Sequence, residues 1–322
     1  MSHTNRHFGM PHVLLAALLA VTLHASAMAA ADLPAERPLW KHAPPGPTGE
    51  PDDKEQVRSH KADRSSPSGL NRAFSSVSTP TYSIHRPKKP NGVGLVICPG
   101  GGFRDIWIDR EGHDLAIWLK GHNVTSLVLK YRTRPAVIGS KDAWQAYQRS
   151  VRADGWQAIR VLRQKASELG LQPDRIGICG FSAGGHLAAS CALCPEPKVV
   201  EGEVSGMPNF AGLFYPGIPE DLEEIMAGRN AGGKAAPAIC PMFIVNARVD
   251  RLTPVDKCIA FYTMLLKAEV NAELHVYNKG GHGFGMGSGR GNTTAMWPRS
   301  FVAWLRDCNM IEDEGGSTEG NR

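Results

Sequence analysis

Gly180-Phe181-Ser182-Ala183-Gly184 follows directly on the apolar run Ile176–Cys179 and directly precedes a helix-forming stretch. A serine on a tight strand-to-helix turn is held out for nucleophilic attack. Bulky neighbours two residues away on such a turn would clash, so glycines are needed there. The helix behind the serine offers free N–H groups and a positive dipole end to a developing oxyanion. The pentapeptide alone is a weak signal, and its strand-turn-helix setting gives it weight. The competing reading of the same residues is a glycine-rich helix start with a capping serine.

A serine hydroxyl needs a base, and the base needs a third group to hold it. On such turns the chain order is serine, then acid, then histidine. Two acids follow the strand-like run Met242–Asn246. Asp250 lies in the loop past the strand end, where side chains reach the upper edge of a sheet. Asp256 lies in the first turn of the next helix, where an acid is favoured by the dipole alone. Asp250 is therefore the candidate acid. His282, in Lys279-Gly280-Gly281-His282-Gly283-Phe284, is the candidate base, because the flanking glycines allow a turn that brings the ring back over the serine. His275 lies inside a strand and His186 one helical turn past Ser182, and both read as packing or surface residues.

Cys98-Pro99-Gly100-Gly101-Gly102-Phe103 ends another apolar run. Backbone N–H groups aimed at an oxyanion contribute about 3–4 kcal/mol each. One donor is expected from Ala183 and the second from the glycine run, at Gly101 or Gly102. An ordinary glycine turn is the bland alternative. Asp154 sits on the apolar face of its helix with Val151 and Ala158, so it needs a partner and reads as structural, paired with a buried arginine. Trp107, Trp144 and Trp297 read as core rather than pocket.

The elements that must position these residues alternate. Strand-like runs cover Val93–Cys98, Val124–Lys130, Arg175–Cys179, Phe210–Tyr215, Met242–Asn246 and Glu273–Tyr277. Helical spacing covers 111–120, 142–169 (one helix or a broken one), 183–192, 254–267 and 298–306. Parallel neighbours need crossover connections, and strands apolar on both faces need helices on both. The expected fold is a doubly wound, mostly parallel sheet with helices on both faces. It forms one catalytic domain over 81–322, after an extended, low-complexity lead-in over 32–80.

Composition bounds the rest. The chain has 322 residues, 42% of them hydrophobic, enough for a sizeable core. The net charge of +5 is spread out with no run of five basic residues, so nucleic acid and anionic membranes are not indicated. Residues 1–31 read as a signal peptide. Arg6 precedes the apolar run Val13–Leu23, and small-residue cleavage sites follow at 25–29. The run is shorter than the ~20 residues a membrane span needs. Removal after export to the periplasm or exterior is therefore expected, with no stable membrane insertion. Seven cysteines, an odd number, give no assignable disulfide, and Cys191-x-x-Cys194 lacks the partners for zinc.

These stretches resemble the acetylxylan-esterase-like branch of the α/β-hydrolases, a family often labelled xylanase B. The likeness is carried by VGLVICPGGGF (93–103), REGHDLAIWL (110–119), LVLKYR (127–132), PDRIGICGFSAGGHLAA (173–189) and ELHVYNKGGHGFG (273–285). The resemblance implies an α/β-hydrolase fold and serine-dependent hydrolysis of small acyl esters, often acetyl groups on plant-type polysaccharide. It implies no metal or cofactor, and it sets nucleophile, acid and base on Ser182, Asp250 and His282. Pro99 stands where related esterases often carry histidine. No carboxylate pair flanks a site for glycosidic cleavage, so the xylanase label is not supported. An exopeptidase using the same machinery and an inactive carbohydrate-binding scaffold are the rival functions.

Overall fold

The computed structural model describes residues 32–47, 54–197, 204–222, 224–226, 238–291 and 293–312. The signal-peptide expectation for 1–31 lies outside them.

Among the described residues eleven strands run in chain order: β1 Arg37–Pro38, β2 Gln56–Ser59, β3 Arg72–Ser75, β4 Thr81–His85, β5 Gly92–Cys98, β6 Asp105–Ile106, β7 Thr125–Lys130, β8 Leu171–Phe181, β9 Ala211–Phe214, β10 Met242–Ala247 and β11 Ala272–Tyr277. The main helices are α1 Asp114–Lys120, α2 Lys141–Gln164, α3 Ala166–Leu169, α4 Ala183–Leu193, α5 Val255–Lys267 and α6 Trp297–Asp307. A single π-helical turn, Asp109–His113, leads into α1.

Eight strands form one sheet in the order β1-β4-β7-β5-β8-β9-β10-β11. The β1–β4 and β4–β7 pairs are antiparallel, and every other pair is parallel. All residues of β5, β7, β9 and β10 are buried. Successive strand residues point to opposite faces, so both faces of the central sheet are covered. The helical stretch at 142–169 is a broken helix. Ser140 caps α2 by accepting from the Ala143 N–H at 3.1 Å, the helix stops at Gln164, and α3 ends on left-handed Gly170.

Connectivity fixes where a site can form. From β5 the chain crosses to β7 on one side, then returns past β5 to lay β8 on the other. The strand order reverses between β5 and β8, and a crevice opens beyond their carboxyl ends. Those ends are Cys98 and Phe181, which lead into the glycine run and into Ser182.

The described part of 32–80 packs onto this body. It supplies β1 to the sheet edge, and β2 and β3 to a small antiparallel sheet completed by β6, just past the glycine run. Arg72 grips Asp109 with its guanidinium and backbone N–H. Asp154 meets Arg132 as a buried pair, both side chains within 1% of full burial. Trp297 is core, whereas Trp107 and Trp144 are only partly buried. No disulfide joins the seven cysteines. Among the described residues no helix is long and apolar enough to cross a membrane.

Candidate active site

Ser182 occupies the turn between β8 and α4 with φ 52° and ψ −115°, a conformation that non-glycine residues rarely adopt. Two close approaches keep it there. A Cβ on Gly180 would lie 2.1 Å from the Gly184 carbonyl oxygen, and one on Gly184 would lie 2.0 Å from the Cys98 carbonyl oxygen. The Ser182 N–H donates to the Phe214 carbonyl at 3.0 Å, tying the turn to β9.

The structure brings Ser182, His282 and Asp250 together from three strand ends. Ser182 Oγ lies 2.8 Å from His282 Nε2, and His282 Nδ1 lies 2.8 Å from Asp250 Oδ2. An ionised carboxylate only accepts, so Nδ1 must carry the ring proton and Nε2 is left to accept from the serine hydroxyl. Asp250 Oδ1 accepts from the backbone N–H groups of Leu252 and Thr253, each at 2.9 Å, and the Thr253 hydroxyl lies 2.9 Å from Oδ2. Burial, the largest influence, raises the Asp250 carboxyl. The hydrogen bonds from His282 and the 252–253 loop together outweigh it, and the net position is below the ordinary carboxylate range. Asp256 is exposed on the first turn of α5.

The other histidines stay apart from this relay. His275 bonds Glu273. His186 packs edge-on against Phe103, ring centroids 5.4 Å apart, and burial pushes it down to about 4.

The glycine run lies against the turn: a Cβ on Gly100 would come within 2.9 Å of Ser182 Cβ. The Gly100 N–H is taken, since it donates to Glu111 Oε2 at 2.9 Å. The Gly101, Gly102 and Ala183 N–H groups meet no acceptor among the described residues. Gly102 has φ +64°, and a Cβ there would meet nothing within 4 Å, so its backbone faces open space. Of the three glycines, Gly100 has its N–H committed to Glu111, and Gly101 and Gly102 have no acceptor among the described residues.

Three residues around the site had no functional reading in the sequence. Thr253 braces Asp250. Tyr215, at φ 38°, donates its hydroxyl to Glu111 Oε1 at 2.9 Å, accepts there from the Gly285 N–H at 3.0 Å, and sets its ring edge-on to His282. Glu111 sits in the π-helical turn, buried. In the sequence Glu111 looks like an acid in a first helical turn. Its one distinguishing signal is that it shares a helix face with fully buried Leu115.

A cleft of about 370 Å³ is lined by Gly283–Met286, Arg110 and the lead-in residues Lys61 and Leu70, and does not include Ser182, His282 or Asp250. The Arg110 guanidinium lies over the Trp107 ring, 4.1 Å from its centroid. No cluster of three or more metal-ligating side chains occurs among the described residues.

Comparison with known proteins places these features in company. The BD-FAE family model matches residues 140–212. An acetylxylan esterase of Xylanibacter ruminicola is 28% identical over 227 residues, 63% of this chain and 43% of that protein. The chain thus spans less than half the length of that relative. Among solved structures, an acetyl ester-xyloside bifunctional hydrolase from Caldicellulosiruptor lactoaceticus superposes with TM-score 0.63 at 22% identity. That match covers 88% of this chain and all of the other, a likeness of fold. A thermophilic esterase from Thermogutta terrifontis with propionate bound matches at TM-score 0.56 and 25% identity, over 81% of this chain and 96% of the other.

Proposed function

We propose that this chain, which has the fold of the α/β-hydrolase esterases it resembles, is a serine carboxylesterase that removes small acyl groups, acetyl first among them, from polysaccharide-type alcohols such as acetylated xylan. The observation that carries the reading is the unbroken relay of two 2.8 Å contacts from Ser182 through His282 to Asp250. The substrate half of the proposal leans on the acetylxylan esterase relative.

The steps are those of two-stage acyl transfer. His282 Nε2 takes the Ser182 proton as Oγ attacks the ester carbonyl. The N–H groups of Ala183 and of Gly101 or Gly102 face the oxyanion. The imidazolium, held by ionised Asp250, gives its proton to the leaving alcohol. Water, activated by the same ring, then releases the acid and restores the serine. Because His282 protonates the leaving alcohol, the alcohol lies on the imidazole side of the scissile bond.

The reading takes 81–322 as the catalytic domain with the described part of 32–80 packed onto it, and 1–31 as a signal peptide removed on export to the periplasm or exterior, supported by the apolar run and small-residue sites. Ser182→Ala should lower turnover of 4-nitrophenyl acetate by several orders of magnitude with an unchanged circular dichroism spectrum. An Ala variant as fast as the unaltered enzyme sinks the assignment.

A further inference from the structure

We infer that Glu111 is a positioning residue for this esterase: one buried carboxylate ties the glycine loop, through Gly100, to the imidazole loop, through Tyr215 and Gly285, and so fixes the distance between oxyanion donors and base. The inference rests on the serine-esterase reading above.

The geometry is a single chain of bonds. Gly100 N–H donates to Glu111 Oε2 at 2.9 Å, and Gly100 directly precedes Gly101 and Gly102. Tyr215 OH donates to Glu111 Oε1 at 2.9 Å. Gly285 N–H donates to the same hydroxyl oxygen at 3.0 Å, three residues past His282. The Thr253 hydroxyl lies 3.1 Å from the Tyr215 carbonyl and 2.9 Å from Asp250 Oδ2, and its single proton serves one of the two. Glycine loop and base loop therefore share one brace, and the acid loop lies against it.

Two further observations say the arrangement is built for this. A π-helical turn, rare and enriched at functional sites, carries Glu111 inward. Tyr215 holds a positive φ that a tyrosine does not adopt unforced. Burial, first among the influences on it, lifts the Tyr215 phenol well above its ordinary range, so it remains a donor. The nearest cation to Glu111, Arg110, stands 3.8 Å away, beyond hydrogen-bond reach. Both Glu111 oxygens are committed to donors from other loops, so its use is positional.

Glutamine is the informative replacement. The glutamate accepts from two donors with two oxygens. A glutamine offers one oxygen and one NH2: with the oxygen on Gly100 N–H, its NH2 can donate to the Tyr215 hydroxyl oxygen but the Tyr215 proton loses its acceptor, and in the reverse orientation Gly100 N–H faces a donor. A displacement of the order of 1 Å at a reacting centre lowers rate by about 10²-fold.

The test compares wild type, Glu111→Gln, Glu111→Asp and Tyr215→Phe on 4-nitrophenyl acetate, with active sites counted by fluorophosphonate labelling and affinity measured for a trifluoromethyl ketone that mimics the tetrahedral intermediate. Glu111→Gln should lose about 10²-fold in kcat per labelled site with KM within about threefold, and bind the ketone weaker by the same factor as kcat/KM falls. Tyr215→Phe keeps the Gly100 bond and loses the Gly285 bond. It should lose less kcat and should shift the pH profile of kcat/KM, since it disturbs the base loop. A Glu111→Gln enzyme within threefold of wild type per labelled site, or one whose ketone affinity is unchanged while kcat falls, overturns the inference. If Glu111→Gln does not fold, Tyr215→Phe with wild-type kcat and pH profile overturns it equally. A wild-type enzyme that neither labels nor hydrolyses the ester rejects the esterase reading instead.

Discussion

Arg132 and Asp154 form a two-pronged ion pair with neither side chain reaching solvent. Nε bonds Oδ2 and Nη2 bonds Oδ1, both at 2.8 Å. The remaining valences are filled too: Trp40 Nε1 donates to Oδ1 at 2.9 Å, and the guanidinium donates to the Ser150 and Pro45 carbonyls. The pair pins the 32–47 segment against α2. Asp154→Ala leaves a buried, uncompensated cation and should cost about 3–5 kcal/mol in urea unfolding. The double change Arg132→Met, Asp154→Leu should recover most of that loss. A double variant no more stable than Asp154→Ala would mean the pair is not the source.

His85 and His113 meet at 2.9 Å, Nε2 to Nδ1, both buried. Burial first, then the positive charges of His113 and Lys120, push His85 down to about 3. Burial first, aided by Arg72 and opposed by Asp109 and Glu36, pushes His113 down to about 4. An unfolded histidine titrates near 6.5. Between that value and the folded ones the unfolded chain binds more protons, so stability falls as pH drops from about 7 toward 4. Each histidine should contribute up to about 1.4 kcal/mol per pH unit in that window. Urea midpoints measured from pH 7.5 to 5 should fall steadily, and more gently in a His85→Phe, His113→Leu double variant. The comparison isolates the pair from Asp114, whose burial-raised carboxyl titrates with the opposite sign. Equal slopes in both proteins would remove the histidines from the account.

Gly184→Ala and Gly180→Ala both force a methyl into backbone, 2.0 Å and 2.1 Å from a carbonyl oxygen. Neither neighbour is a flexible tip that can swing away. Each variant should lose at least 100-fold in ester hydrolysis, together with a lower melting temperature or lower soluble yield. Gly139→Ala, with nothing within 4 Å and no positive φ, serves as the control and should stay within about 0.5 kcal/mol of wild type.

The sequence made the parallel half of the molecule readable because long buried strands leave continuous apolar runs, as at Val93–Cys98 and Met242–Asn246, and the elbow glycines announce a close approach. The antiparallel pieces escaped. β1 is two residues long, β2 is exposed throughout, and neither carries a periodic pattern. Three glycines in a row could not say which amide was taken, because the acceptor, Glu111, stands 11 residues on, in a turn type that spacing does not signal. The partner of Asp154 could be expected from charge on an apolar face, but that partner, Arg132, lies in a loop 22 residues earlier. Tyr215 read as the last residue of a strand, and nothing in one dimension places its hydroxyl beside Gly285.

Asp250→Asn gives the sharpest prediction about the relay, because the site leaves the amide only one good orientation. Oδ1 of Asp250 accepts two backbone N–H bonds, from Leu252 and Thr253. An asparagine oxygen will keep that place, which turns its NH2 toward His282 Nδ1. Nδ1 must then accept, the ring proton moves to Nε2, and Nε2 can no longer take the Ser182 proton. Turnover at neutral pH should fall by about 10⁴-fold with KM little changed and the fold intact. Thr253→Val is the graded companion. It removes the hydroxyl that lies 2.9 Å from Oδ2 and 3.1 Å from the Tyr215 carbonyl, and keeps both backbone bonds and the carboxylate. Its loss should stay near tenfold, the size of one hydrogen bond to a charged group. Steady-state kinetics on a short acyl ester measure both. If Asp250→Asn retains more than a tenth of wild-type kcat, the carboxylate does not set the tautomer, and a base other than His282 must be sought.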